Sequence, residues 1–464
     1  MTLIKSISGI RGTIGGKIGE GLNPIDIVRF TSGYGTWLKL NNKEKKLKVV
    51  VGRDARISGD MVKNLVIGSL QGLGIDIIDI GLATTPTTEL AVEYSNADGG
   101  LILTASHNPK QWNALKMLNH KGEFLSDKDG KEVLSIAENE NFYYTEVDNL
   151  GIVTENIDFE QKHIENILSL KLVDVENIRK ANFKVAIDCV NSVGGIVIPK
   201  LLKALGVNDI FKLYCDPNGL FPHNPEPLPE NLDEISKLIK KEKIDVGFVV
   251  DPDVDRLAIV NEDGSMFGEE YTLVAISDYI LSKENIIRGG STVSNLSSTR
   301  ALRDVTQKYG GKYYAAAVGE VNVVEKMKEV DAIIGGEGNG GVIYPKSHYG
   351  RDALVGIALF LSLLAKKGKK CSELRKEYPT YFISKNKIEL EAGIDIDTIL
   401  TKIKENYKSE KITDIDGIKI DFEDKWVHLR KSNTEPIIRI YSEAKTLVEA
   451  DKLAQEIISF VNSL

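Results

Sequence analysis

Three stretches of this chain share one plan: a β-branched apolar run, a polar loop of small residues, then a helical pattern. They are LKVVVGRDARISGD (47–60), FKVAIDCVNSVGG (183–195) and GSTVSNLSSTRAL (290–302). Strands that alternate with helices in this way argue for parallel βαβ units. The first stretch continues the alternation, with a strand at Lys48–Val51, a helix from about Gly59 to Leu73 and a further strand at Ile75–Ile80. The spacing between the three is far beyond solenoid periods, so the recurrence reads as repetition of a domain. The end of the chain differs. Short alternating runs at Ile418–Phe422 and Trp426–Leu429, a strand at Ile437–Tyr441 and a helix from about Thr446 to Phe460 predict an α+β unit with an antiparallel sheet, after a linker at Glu377–Thr380.

The bulk composition narrows the class. A chain of 464 residues has room for two to four domains at roughly 100–200 residues each. It is 42% hydrophobic and 27% charged, with a net charge of −8, which argues against a nucleic-acid partner. The three cysteines form no CxxC pair, so neither a zinc site nor a redox dithiol is suggested, and a reducing compartment fits. The first residues lack the apolar core of a signal peptide. The longest apolar stretch, Leu354–Ala365, is too short to span a membrane and predicts a buried helix. A cytoplasmic protein with no membrane partner is expected.

Chemistry concentrates in four short segments. TASHNP (104–109) follows the buried-strand pattern Gly99–Leu103, and Pro109 blocks its continuation. Ser106 is therefore expected on a turn just past a strand end, where ligands bind in α/β sheets. A hydroxyl there, beside the His107 imidazole, is a candidate to carry a covalent group. The competing reading is a surface turn with a helix cap.

DPDVDR (251–256) follows the apolar run Val246–Val250 and sets Asp251, Asp253 and Asp255 at alternate positions. Three carboxylates on one short loop suit a hard cation such as magnesium. A calcium EF-hand is rejected because Arg256 occupies the sixth position and a strand pattern, Leu257–Val260, follows. An acidic turn and an aspartate-nucleophile phosphatase acting through Asp251 are the rival readings. GGEGNGG (335–341), after the strand pattern Ala332–Ile334, offers Glu337 and Asn339 to sugar hydroxyls and lacks the lysine of a P-loop. RKSNTEPIIR (430–439) clusters Arg430, Ser432, Asn433 and Thr434 on a turn between strands, as a phosphate cradle or as an ordinary hairpin with a solvated arginine.

In order and spacing these four segments resemble the α-D-phosphohexomutase superfamily over the whole chain. The resemblance implies three similar mixed α/β domains plus a smaller C-terminal α+β domain around a central cleft, expected at 1–152, 153–258, 259–374 and 375–464. It implies Ser106 as phosphoserine, with Asp251, Asp253, Asp255 and a phosphoserine oxygen holding Mg²⁺. Arg256 and Arg11 would lie at the transferring phosphate, Lys116 would assist proton transfer and His107 would support the site. Glu337, with Asn339, would bind the sugar. Arg430, Ser432, Asn433, Thr434 and Arg439 would hold the phosphate that is not reacting. The implied reaction moves a phosphoryl group between the 6- and 1-positions of a hexose phosphate through a 1,6-bisphosphate, with a glucose- or glucosamine-1,6-bisphosphate type activator. Phosphoglucosamine mutase activity is the leading expectation, and phosphomannomutase/phosphoglucomutase activity the alternative. A monomer or homodimer is expected.

The chain departs from the pattern in three places. Many bacterial members carry Ser and His in the sugar loop where this chain has Asn339 and Gly341, and some carry Lys where it has Ala317. His348 or Arg351, in SHYGRDA, is the expected substitute for the missing acid/base group.

Overall fold

The computed structural model describes residues 1–6, 9–42, 45–156, 158–283, 290–389, 396–431 and 437–463. They form two compact units. The first comprises Met1–Thr272 and Gly340–Leu374, and the second Leu273–Asn339 and Arg375–Leu464.

The first unit holds two sheets. One has seven strands: β1 (Leu3–Ser6), β2 (Gly9–Thr13), β3 (Lys48–Arg53), β4 (Asp76–Leu82), β5 (Gly99–Leu103), β6 (Trp112–Leu118) and β7 (Val153–Glu155). Their spatial order is β1-β2-β6-β5-β3-β4-β7. β3 runs parallel to β4 and β5, while β5–β6, β6–β2 and β2–β1 are antiparallel. Val49, Val50, Val51, Leu101, Ile102 and Leu103 are fully buried, as central strands with both faces covered must be. Because Arg53 pairs with Leu103 in parallel register, the loops after β3 and β5 leave the same end of the sheet. That places Asp54 and Arg56 beside Ser106.

The second sheet contains β8 (Lys184–Asp188), β9 (Asp209–Leu213), β10 (Val246–Val250) and β11 (Leu257–Asn261), in the order β11-β10-β8-β9. β8 is parallel to both β9 and β10, whereas β10 and β11 form an antiparallel hairpin whose connection is the Asp251–Arg256 loop. The expected apolar helix is present as Ala353–Lys367, with Asp352 as N-cap and every residue from Ala353 to Leu364 buried. Phe360 on this helix packs edge-on against Phe248 and Phe267.

In the second unit, β12 (Ser291–Asn295) runs parallel to both β13 (Lys312–Ala316) and β14 (Ala332–Glu337). β14 is longer than the sequence pattern suggests, since Gly335, Gly336 and Glu337 continue the strand and the turn comes after them. The short strand β15 (Gly341–Ile343) belongs to the first unit. The C-terminal part is a five-stranded antiparallel sheet of β16 (Phe382–Glu389), β17 (Lys411–Thr413), β18 (Ile418–Asp421), β19 (Trp426–Lys431) and β20 (Ile437–Ala444). Ile403, Ile420, Leu429, Ile438, Ile440 and Ile457 form its core. The architecture is thus mixed α/β with an antiparallel C-terminal sheet, as expected. No helix among the described residues is long and apolar enough to cross a membrane.

Candidate active site

Ser106 lies on the turn after β5 and is almost completely buried. Its backbone adopts a left-handed conformation, φ 49°, which costs a non-glycine residue about 1–2 kcal/mol. Neighbouring groups hold that conformation. The Ser106 N–H donates to Thr104 Oγ1 at 2.9 Å, and the Thr104 hydroxyl donates to Asp54 Oδ2 at 2.6 Å. The buried Arg56 guanidinium pairs with Asp54 at 2.9 Å through Nε. Its two terminal nitrogens donate to the carbonyl oxygens of Ser106 (2.5 Å), Asn108 (2.6 Å), Pro109 (2.8 Å) and Trp112 (3.0 Å). One side chain therefore ties down the whole turn.

The Ser106 hydroxyl donates to Asp251 Oδ2 at 2.6 Å and lies 3.4 Å from His107 Nδ1. Asp251, Asp253 and Asp255 are fully buried, and each offers one oxygen within 4.8 Å of the others. Asp251 Oδ1 accepts the N–H groups of Asp255 and Arg256, both at 3.2 Å, which curls the loop onto itself. Asp253 Oδ2 takes the Thr85 hydroxyl and the Lys116 ammonium, both at 2.7 Å. Asp255 Oδ2 takes Arg351 at 2.6 Å. The other oxygens, Asp253 Oδ1 and Asp255 Oδ1, are buried with no hydrogen-bond partner. Buried carboxylate oxygens without a proton donor are costly unless a cation meets them, so the donor set fits a hard divalent ion.

The charges around the loop are strongly coupled. Burial, and then the neighbouring Asp253 and Asp255, push the Asp251 carboxyl well above its ordinary range. Burial also pushes on Asp253, but Lys116 and the hydrogen bonds from its neighbours outweigh it and hold that carboxyl below its ordinary range. Burial would lower the Lys116 pKa, yet Asp253 and Asp255 overcome it and hold Lys116 as an ammonium. Burial, with Arg256 and Arg11 nearby, drives His107 well below its ordinary value, so its ring is neutral. Arg11 donates to Asn108 Oδ1 at 2.7 Å, and Arg256 pairs with Glu226 at 3.2 Å. Ser106, His107, Lys116, Arg11, Arg256 and the three aspartates thus gather in the first unit.

The second unit holds the remaining candidates that can be placed. Glu337 ends β14 and accepts Asn295 Nδ2 at 2.9 Å and the Gly319 N–H at 3.2 Å. Gly319 reaches it with φ 117°, a conformation that side chains rarely allow. The adjacent Val318 N–H donates to Asp416 Oδ2 at 2.9 Å, and Arg430 Nε pairs with the same oxygen at 3.0 Å. Arg430, Arg439 and Lys387 stand directly opposite one another across β19, β20 and β16, forming a cationic row on one face of the sheet. Asn339 closes the turn after β14. Ser432, Asn433 and Thr434 lie outside the described residues.

His348 and Arg351 have different surroundings. His348 lies between Glu89 and Asp352, while Arg351 pairs with Asp255 in the acidic loop. An arginine is a poor proton shuttle at any ordinary pH, so Arg351 serves as a fixed cation there. Arg56, Thr85 and Arg351 carry contacts to the serine or aspartate loops that the sequence reading does not assign. The available signals were the Asp54–Arg56 pair directly after a buried strand and the Thr-Pro step that opens the helix Thr85–Tyr94.

Comparison with known proteins agrees along the full length. Phosphoglucomutase/phosphomannomutase models match in chain order: α/β/α domain I over residues 3–144, domain II over 161–264, domain III over 268–381 and the C-terminal domain over 387–459. A phosphoglucomutase/phosphomannomutase of Thermococcus kodakarensis is 37% identical over 440 residues, which is 94% of each chain. A phosphoglucosamine/phosphogalactosamine mutase of Sulfurisphaera tokodaii is 34% identical over 467 residues, covering 98% of both chains. The crystal structure of a phosphoglucomutase/phosphomannomutase family protein from Burkholderia thailandensis aligns with a TM-score of 0.83 at 25% identity, over 99% of this chain and 97% of that one.

Proposed function

Since the chain belongs to the phosphoglucomutase/phosphomannomutase family and is a phosphohexomutase, we propose that phosphorylated Ser106 is its phosphoryl carrier. The observation that carries this reading is the Ser106 hydroxyl, 2.6 Å from Asp251 in a carboxylate cluster with two unpartnered oxygens. Asp251, Asp253 and Asp255 would hold Mg²⁺ together with an oxygen of the phosphoserine. When bound, the ion offsets negative charge on the phosphoryl oxygens.

The chain's own residues do the rest. A sugar hydroxyl attacks the phosphorus; the new P–O bond to the sugar forms as the bond to Ser106 Oγ breaks. Arg11 and Arg256 orient the phosphoryl oxygens, since such transfers depend on positioning and charge more than on covalent catalysis. In the transfer to the sugar, Lys116 as the free amine takes the proton of the attacking hydroxyl, and the departing Ser106 Oγ is protonated from Asp251, whose Oδ2 accepts the Ser106 hydroxyl at 2.6 Å. In the return transfer Ser106 gives that proton back to Asp251, and the Lys116 ammonium, the form held while Ser106 is unphosphorylated, protonates the departing sugar oxygen. The bisphosphate turns end for end between the two transfers. Glu337 accepts from sugar hydroxyls. Arg430 and Arg439, with Ser432, Asn433 and Thr434, hold whichever phosphate is not reacting.

For the substrate, we assign glucosamine 6-phosphate and glucosamine 1-phosphate, in keeping with the name of the Sulfurisphaera relative. The name of the Thermococcus relative favours mannose or glucose phosphates as the second reading. Comparing kcat/KM on glucosamine, mannose and glucose 1-phosphates decides between them, and a glucosamine value well below the other two sinks the assignment. Phosphopeptide mass spectrometry tests the carrier: phosphate on Asp251 instead of Ser106 would make the protein an aspartate-nucleophile enzyme.

A further inference from the structure

Away from Ser106, the first unit buries a second set of ionisable groups: Glu89, His163, His348 and Asp352. Asp352 Oδ2 faces His163 Nε2 at 2.9 Å and His348 Nε2 at 3.1 Å. The second nitrogen of His348 faces Glu89 Oε2 at 3.3 Å, and that of His163 meets the Thr87 hydroxyl at 2.9 Å. Gly350 makes this approach possible: a β-carbon there would sit 1.9 Å from Glu89 Oε2 and 2.8 Å from the His348 ring. Burial would lower the His348 pKa, but Asp352 and Glu89 outweigh it and raise it to about 10, so the ring is an imidazolium between two carboxylates.

Both partners of His348 lead to the acidic loop. Glu89 lies on the helix Thr85–Tyr94, whose first residue holds Asp253 twice, through its N–H to the main-chain oxygen (2.9 Å) and its hydroxyl to Oδ2 (2.7 Å). Asp352 caps the helix Ala353–Lys367, whose first N–H donates to the Val254 oxygen at 3.2 Å. Val254 is itself in the left-handed region, φ 63°, which a β-branched residue adopts only under external restraint. Arg351, next to Asp352, holds Asp255 at 2.6 Å. The residues that grip the loop from two sides are thus joined through one imidazole.

We propose that the Glu89–His348–Asp352–His163 cluster is a lock that fixes the 251–255 loop in a geometry suited to a small octahedral cation, and so sets its preference for Mg²⁺ over Ca²⁺. Arg351 is a positioning residue in this scheme, acting through Asp255. Mg²⁺ demands near-ideal oxygen positions at about 2.0–2.1 Å, whereas Ca²⁺ accepts about 2.3–2.6 Å and irregular sets, so a loosened loop loses Mg²⁺ first. A ratio of the two affinities isolates this effect, because a change in local charge acts on both ions alike.

The inference rests on the reading of Asp251, Asp253 and Asp255 as cation ligands, and the experiment separates the two. Full-length wild type, His348→Gln, Thr87→Val and Asp253→Asn are titrated calorimetrically with MgCl₂ and with CaCl₂, in one Ser106 phosphorylation state verified by intact mass. His348→Gln should lower the Mg²⁺:Ca²⁺ affinity ratio about tenfold, the scale on which outer-shell partners tune metal sites. Thr87→Val, which removes the hydroxyl that steadies His163 and also accepts from Thr84, should lower it less, and decides the matter if His348→Gln does not fold. Asp253→Asn should lose both ions. An unchanged ratio in the folded lock variants, with binding lost in Asp253→Asn, overturns the lock alone. Wild-type binding by Asp253→Asn overturns the cation-site reading beneath it.

Discussion

Arg56 donates to the main-chain oxygen of Ser106 at 2.5 Å, so a buried side chain from the loop after β3 holds the backbone of the residue proposed as phosphoryl carrier. Three further carbonyls of the same turn share its guanidinium. Arg56→Lys keeps the charge beside Asp54 but loses the planar fork. Turnover should fall about 10²-fold, the cost of misplacing a reacting group by about 1 Å, with KM little changed. Steady-state kinetics on the hexose phosphate checks this, and a variant with a raised KM and intact kcat would show that Arg56 acts on binding instead.

If Ser106 is a carrier, its phosphate must be present before the first turnover. Dephosphorylated enzyme should show a lag in the progress curve that a catalytic amount of hexose 1,6-bisphosphate removes. Ser106→Ala should lose activity and all bisphosphate-dependent labelling while its thermal midpoint stays near wild type. Full initial velocity from protein shown by mass spectrometry to be unphosphorylated contradicts the carrier role.

The His348 imidazolium makes stability depend on alkaline pH. Its pKa of about 10 in the folded chain stands above the ordinary value of 6.5. Between these limits the folded chain binds the proton and the unfolded chain does not. The stabilisation is therefore fully present below about pH 6.5 and is lost as pH rises through about 10, at up to about 1.4 kcal/mol per pH unit. Thermal midpoints from pH 6 to 10 should fall more steeply for wild type than for His348→Gln. Parallel slopes would show that the ring is neutral.

His428, in the second unit, should give the opposite trend. Its ring is buried between Ser297 Oγ and the Asp416 carbonyl, and burial lowers its pKa to about 4. Here the unfolded chain binds the extra proton, so the contribution is present above about pH 6.5 and lost as pH falls through about 4. Hydrogen-exchange protection factors in β18 and β19, corrected for the pH dependence of intrinsic exchange, should fall on acidification, and His428→Gln should blunt the change.

Much of this protein was legible in its sequence because local signals and tertiary placement agree. The apolar run before TASHNP forms a strand that ends at Leu103, just ahead of the turn that carries Ser106, and DPDVDR closes the β10–β11 hairpin as its flanking apolar runs suggest. The clamp was not legible: GRDARIS reads as one more βα turn, and only the parallel register of β3 and β5 brings Arg56 to Ser106. The surroundings of His348 were hidden for a related reason. This residue is near the sugar loop in sequence, but the Asp352 cap turns it toward Glu89, which is far away along the chain. Arg351 reaches the acidic loop through the same turn, and no local pattern encodes that contact.

If Arg430 holds the phosphate that is not reacting, the hold that Asp416 keeps on it bears on how long an intermediate stays put. The carboxylate that pairs with Arg430 at 3.0 Å also accepts the Val318 N–H at 2.9 Å, so a phosphate arriving there would have to share this arginine with an acid already seated on it. That rivalry weakens the grip on purely electrostatic grounds. In the proposed cycle, a bisphosphate that must let go and flip before its second transfer would be served by such a loose hand, and a tighter one would strand it halfway. Asp416→Asn should therefore lower KM and kcat together, trading release for retention.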